Sequence, residues 1–188
     1  IKRIDGNILG DDSRYQNDPL AIGWDPMEYG EWYSAEVSPL TFNDNCVDII
    51  WKADGDTGDL AKYKLNPKTK YVQIASSVRI GPRSKEEAEL RYYRFKDSNE
   101  IRARGSIPPD SEKYDYASVH DPARYTAHVL METLEKKGMP VEGSAFNRRA
   151  MQLDDSPTSE PVVLISQLSP PLSRILPIIN GNSQNLYA

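Results

Sequence analysis

The sequence predicts a mixed α/β (α+β) protein: an α/β layer carrying an inserted, mostly β subdomain. Three observations point there. The region from about Asn45 to Pro109 is a series of strand-like runs with charged outer faces, in which sets such as Val47, Ile49 and Trp51 fall on one parity. Between Asp121 and Gly138 the period changes to that of an amphipathic helix. Short strand-like runs flank that helix, which makes an αβ unit.

The chain opens with "IKRIDGNILGDDSRY", a strand entering a polar turn. Ile4, Ile8 and Leu9 are its apolar anchors, and Gly6 and Gly10 punctuate it. An aromatic, acidic loop follows, "IGWDPMEYGEWYSAEVSPL". "NCVDIIWKADGDTGDLAKYKL" reads as a hairpin. Val47, Ile49 and Trp51 alternate with Asp48 and Ile50, and the Asp/Gly cluster from Asp54 to Asp59 makes the turn. Strand-like runs "KYVQIASSVRI" and "AELRYYRFK" come next. "NEIRARGSIPPD" closes the section, with Ile101, Ala103 and Gly105 on one parity. "YDYASVH" is a short strand before the helix. Asp121 can cap that helix, Pro122 suits its first position and Gly138 suits the residue past its end. Ala127, Leu130, Met131 and Leu134 form one apolar face, and Lys136 and Lys137 complement the dipole. "MPVEG" then returns to the layer.

"RRAMQLDDSPTSEP" is a polar, proline-bearing linker, and "PVVLISQL" reads as a buried strand. The last stretch, "SPPLSRILPIINGNSQNLYA", has a helical apolar pattern that Pro177 should break or kink. The expected layout is therefore an α/β domain from 1–43 and 106–150, a mostly β subdomain over 44–105, a linker over 151–160 and a separate segment over 161–188.

Composition narrows the function. The 188 residues suit one large or two small domains, and the 38% hydrophobic content favours thin layers or contact with something outside the chain. The 23 basic and 28 acidic side chains are interleaved for a net charge of −5, with no basic stripe, which argues against nucleic acid as a partner. No run of about 18 apolar residues exists to span a membrane. The chain opens on Ile1 and shows no leader pattern, so a processed or excised piece is expected. Cys46, the single cysteine, sits in an apolar run and reads as a small buried hydrophobe. With one cysteine and two histidines, no structural metal is expected, and Asp11-Asp12 reads as a solvated turn. His120 is expected to be structural and His128, off the apolar stripe, to face solvent. No cofactor is implied.

Ser183-Gln184-Asn185 alone would be a cap or turn. Its surroundings change the weighing. "SPPLSRILPIINGNSQNLYA" resembles the Ser-Pro-Pro-Leu … Asn-x-x-Ser-x-Asn-Leu-Tyr-Ala segment of the D-alanyl-D-alanine carboxypeptidase/endopeptidase family, the class C low-molecular-mass penicillin-binding proteins. Upstream, "IKRIDGNILGDDSRY", "GWDPMEYGEWYSAEVSPLTFNDN", "RARGSIPPD" and "VHDPARYTAHVLMETLEKKGMPVEG" follow in the family's order.

The resemblance implies cleavage of the terminal D-Ala-D-Ala bond of peptidoglycan stem peptides, in the periplasm or extracytoplasmic envelope of a bacterium. The reaction passes through a serine acyl-enzyme that β-lactams trap, without metal or cofactor. It needs Ser-x-x-Lys for the nucleophile, Ser-x-Asn for proton relay and substrate hydrogen bonding, and Lys-Thr-Gly for a cation and strand edge. Only Ser-x-Asn occurs here: no serine has lysine three positions later, and "KTK" at 68–70 lacks the glycine. The chain resembles the family's inserted domains plus the first return into its serine β-lactamase/penicillin-binding-type catalytic domain. On its own it is expected to be inactive. By the resemblance Ser183 is the relay hydroxyl and Asn185 the hydrogen-bonding amide, with Gln184 replacing the commoner aspartate. The acidic loop is implied to meet the substrate's free amino end. Glu28 is the best-placed acid and Trp24 the ring, although Pro26 and Met27 stand where an aromatic and an acid are more usual. If 161–188 belongs to another domain, Ile175, Ile178 and Ile179 should not be fully buried here. The alternative is a non-catalytic peptidoglycan- or partner-binding module of a pseudoenzyme.

Overall fold

The computed structural model describes residues 1–15, 18–81, 89–151 and 160–187. Strand β2 (Cys46–Lys52) is the organising element, and its inward parity, Val47, Ile49 and Trp51, is fully buried. It pairs antiparallel with β3 (Lys62–Asn66) on one edge, as the hairpin pattern requires. On its other edge lies β9 (Glu112–Ser118), antiparallel along all seven residues of β2.

A second sheet has the order β4 (Gln73–Ser76), β7 (Glu100–Arg104), β6 (Arg91–Tyr93). The short strands β5 (Arg79–Ile80) and β8 (Ser106–Ile107) continue it as a parallel pair. Ile101 and Ala103 point inward, as their parity predicts. Gly105 bridges β7 and β8 at φ +123, and a Cβ there would lie 2.3 Å from the Glu89 carbonyl oxygen, so the join requires glycine. The two sheets meet through Trp51, whose Nε1 donates to the Tyr92 hydroxyl at 2.8 Å. One apolar cluster runs from Val47 through Ile80 and Ile101 to Val129. No break in this core marks the expected positions near Asp44 and Gly105.

Helix α1 (Pro122–Lys136) begins and ends on its expected signals. The Asp121 carboxylate accepts from the Arg124 N–H at 3.1 Å, and Gly138 follows the helix at φ +80. The helix packs on β1 (Ile8–Gly10) and β10 (Ala145–Asn147), which pair in parallel. Gly10 permits the close approach: its Cβ would sit 2.1 Å from the Ala123 carbonyl oxygen. The buried arc of α1 differs from the expected one. Tyr125, Ala127 and Val129 are buried, whereas Leu130 is 48% exposed. The Tyr125 ring sets the arc by filling the space between Phe42 and Tyr71, at centroid distances of 5.7 and 5.4 Å. His128 consequently is not on a solvent face. It is half-buried against the Tyr71 ring at 5.4 Å.

The expected strand "PVVLISQL" is not formed. Residues 160–171 have no regular structure, and Val162 and Ile165 are 81% and 89% exposed. A strand needs a partner ladder, and none of the described residues offers one to this run. Helix α3 (Leu172–Asn182) does not stop at Pro177 but runs through it. Proline leaves the carbonyl of Ser173 without its helical donor, and in a solvent-exposed helix water can meet that group. Ile178 is 58% exposed and Ile175 and Ile179 are half-buried, so none of the three is buried. Most of the expected linker over 151–160 lies outside the described residues. Its first residue closes the short helix α2 (Arg148–Met151).

Candidate functional site

The site is built on a backbone irregularity. Asn43, Asp44 and Asn45 stand at φ 51, 51 and 55, three successive left-handed residues. Each costs roughly 1–2 kcal/mol for a residue with a Cβ, and Asn and Asp tolerate it best because their side chains bond locally. Those bonds are present. The Asn43 amide nitrogen donates to the Cys46 carbonyl at 3.0 Å and to the Asp48 carboxylate at 2.7 Å. Buried Asn45 donates to the Glu36 carbonyl at 2.8 Å and accepts from the Phe42 N–H at 3.3 Å.

The turn presents the Asp44 carboxylate outward, and the end of the chain docks there. Gln184 Nε2 and the Tyr187 hydroxyl donate to Asp44 at 3.2 and 2.7 Å, and Asn185 Nδ2 donates to the Tyr33 carbonyl at 3.0 Å. Ser183 ends α3 in the left-handed conformation, with its N–H on the Ile179 carbonyl. Its exposed hydroxyl bonds to none of the described residues. Between the docked segment and the sheet lies a cavity of about 510 Å³, walled by Trp32, Asp44, Asp48, Asp115, Tyr116 and Asn185. Among the described residues no Lys, Arg or His lines it, while Asp44, Asp48 and Asp115 do, so its field favours a cation. Trp32 stands edge-on to Tyr33, with centroids 5.8 Å apart. Cys46 borders the cavity with its side chain buried, and burial pushes its thiol strongly up.

The loop carrying Trp32 is held rigidly. The Glu31 carboxylate accepts from the Tyr92 N–H at 3.0 Å, and burial raises its pKa. The Gly30 carbonyl accepts from the Ser118 N–H at 3.1 Å, and Ser118 Oγ donates to the Tyr29 carbonyl. Behind the loop, Glu36 is buried and meets three donors: Arg94 Nη2 at 2.8 Å, His120 Nδ1 at 3.0 Å and the Asp121 N–H at 3.0 Å. Burial works to raise the Glu36 pKa, but the His120 hydrogen bond, the Arg94 charge and the Asp121 N–H outweigh it and hold the carboxyl below its ordinary value. Burial likewise works to lower His120, and Glu36 outweighs it, so the imidazole pKa is raised.

Of the residues expected from sequence, Asn185 lines this cavity, and Ser183 stands between two residues that do, Asn182 and Gln184, with its own side chain exposed. Glu28 and Trp24 lie elsewhere. Glu28 closes a short turn, Pro26–Glu28, capped by Asp25, whose carboxylate accepts from the Met27 N–H at 2.9 Å. It lines a separate cavity of about 910 Å³ against Arg91, Arg102 and Arg104 on the outer face of β6 and β7. Trp24 is half-buried and lines neither cavity. Trp32 and Asp44, which sequence reasoning passed over, wall the cavity beside Asn185. A signal for Asp44 existed: "NDN" groups the residue types that best accept left-handed backbone. Among the described residues no cluster of three or more metal-ligating side chains occurs. No helix among them is long and apolar enough to cross a membrane.

Comparison with known proteins gives a consistent picture. The sequence model of the D-Ala-D-Ala carboxypeptidase 3 (S13) family matches residues 1–188. A D-alanyl-D-alanine carboxypeptidase from Actinomadura sp. (strain R39) is 25% identical over 149 residues, covering 76% of this chain and 28% of that protein. The crystal structure of penicillin binding protein 4 from Haemophilus influenzae superposes with a TM-score of 0.62 at 18% identity, covering 79% of this chain and 33% of that one. The chain therefore spans about a third or less of the length of these relatives, and the structural likeness shows the shared penicillin-binding-type fold.

Proposed function

The chain belongs to the D-Ala-D-Ala carboxypeptidase 3 (S13) family, and from that premise we propose that it is part of a serine-type D-Ala-D-Ala carboxypeptidase acting on peptidoglycan stem peptides. The observation that carries the reading is that Gln184 and Asn185 of the Ser-x-Asn motif line a cation-favouring cavity, with the Ser183 hydroxyl exposed next to them in the chain. In the reaction, a serine outside this chain attacks the carbonyl of the terminal D-Ala-D-Ala bond. A C–O bond forms, the C–N bond breaks, and the leaving D-alanine takes a proton relayed through the Ser183 hydroxyl. Water then hydrolyses the ester. Asn185 gives one Nδ2 hydrogen to the Tyr33 carbonyl, which leaves its amide oxygen to accept an N–H from substrate.

For the amino end of the substrate we retain Glu28 and Trp24 as candidate acid and ring. Asp44 and Trp32 have the further support of flanking Asn185. The enzyme works in the extracytoplasmic envelope, where stem peptides are, and β-lactams acylate it. This chain alone lacks the nucleophile and hydrolyses nothing.

Intact mass measurement of the complete protein with benzylpenicillin tests the reading. One covalent adduct is expected, forming at least 100-fold more slowly in Ser183→Ala, the scale of a lost proton-transfer group. The 188-residue chain should gain none. A complete protein that binds peptidoglycan but is never acylated is instead the non-catalytic module.

A further inference from the structure

Away from the Ser-x-Asn cavity, arginines are concentrated at one edge of the second sheet. Arg91 on β6 stands directly opposite Arg104 on β7 in antiparallel register, and Arg79 on β5 joins them across the Gly105 bridge. All three line a cavity of about 650 Å³. Among the described residues the one carboxylate lining it is Glu89, 2.9 Å from Arg91. Arg79 donates to the Gly58 carbonyl at 2.6 Å, and neither Arg79 nor Arg104 has a carboxylate partner among the described residues. Like charges placed directly opposite on neighbouring strands destabilise a sheet.

Guanidinium groups point to the ligand chemistry. Their planar forks match the two oxygens of a carboxylate or phosphate and stay charged at every relevant pH. We propose that this cavity binds a ligand bearing two or more oxyanions, held by Arg79 and Arg104, with Arg91 shared between the ligand and Glu89. The site shares no residue with the Ser-x-Asn cavity, although Arg91 and Arg104 also wall the cavity of Glu28.

Calorimetric titration of the chain with inorganic pyrophosphate and, separately, with citrate tests this at low salt. Saturable binding of at least one anion is expected, weakened tenfold or more in both Arg79→Gln and Arg104→Gln. Preference for pyrophosphate identifies a phosphate ligand, and preference for citrate a carboxylate one. Both side chains are solvent-exposed, so neither variant should lower the parent thermal midpoint, which is measured alongside, and Arg104→Gln should raise it slightly by relieving the repulsion with Arg91. Two outcomes overturn the proposal: neither anion binds saturably, or binding survives either substitution within twofold.

Discussion

Arg94 and Glu36 show how a single residue can decide the stability of this fold. Both side chains are almost wholly removed from water, at 0% and 2% exposure. Their pairing joins the Trp32 loop, the residue after β6 and, through His120 and Asp121, the start of α1. Arg94→Ala leaves a buried carboxylate with less than its full set of donors, and such a loss costs about 3–5 kcal/mol. Urea unfolding should show it as a lower midpoint at unchanged slope. The same cluster sets a pH dependence. The raised His120 pKa contributes stability that is complete below the ordinary value of 6.5 and is lost as pH rises through the folded-state value above it. The lowered Glu36 pKa contributes stability present above 4.5 and lost as pH falls through its lower folded-state value. The thermal midpoint should therefore fall on both sides of a maximum between those two values, and His120→Gln should flatten the alkaline limb and, because His120 also helps lower the Glu36 pKa, shallow the acid limb. An unchanged alkaline limb would remove His120 from this account. None of this was legible in the sequence. The partners of Glu36 lie 58 to 85 residues away, and no local pattern distinguishes a buried Arg94 from a solvated one.

At the scale of elements, what is local was legible. Asp121, Pro122 and Gly138 bound α1 because caps act on the nearest turn. Asp121 also ties the helix to the layer, since its second carboxylate oxygen accepts from Asn147 Nδ2 at 2.6 Å. Asp121→Ala should cost about 1–2 kcal/mol, the upper part of the range for a lost cap. Asp121→Asn should recover most of that, because it keeps the Arg124 acceptor; equal loss in the two variants would mean that the charge, not the cap, matters. What depends on partners was not legible. The arc of α1 follows the Tyr125 ring, which an apolar-period count treats like any other position. "PVVLISQL" has the composition of a buried strand, but composition does not supply the neighbouring ladder. The candidate site divides in the same way. Ser183 and Asn185 were legible as candidates because a linear motif carries them, whereas Asp44 meets that motif only through an αL turn some 140 residues earlier in the chain.

The whole molecule consists of a packed body and a loosely attached tail. The body holds the continuous core from Val47 to Val129. The tail, 160–187, carries Val162, Leu164 and Ile165 at 81%, 70% and 89% exposure, far more apolar surface in one stretch than a folded chain ordinarily shows to water. Its described polar ties to the body are the solvent-exposed hydrogen bonds of Gln184, Asn185 and Tyr187. Such bonds are each worth about 0.5–1.5 kcal/mol net at most, and less when water can replace the partner. The exposed apolar side chains add nothing to stability while they face solvent. Deleting residues 160–188 should therefore lower the thermal midpoint by less than about 10 °C, given roughly 2–4 °C per kcal/mol for a chain of this size. The same deletion should abolish most binding of a hydrophobic dye such as ANS. If instead the shortened chain fails to fold, the tail belongs to the body's core and its exposed face is not a surface awaiting the rest of a catalytic domain. If it folds and keeps its dye binding, the exposed apolar surface lies elsewhere, and the tail's helix and apolar run have no unmet packing to satisfy.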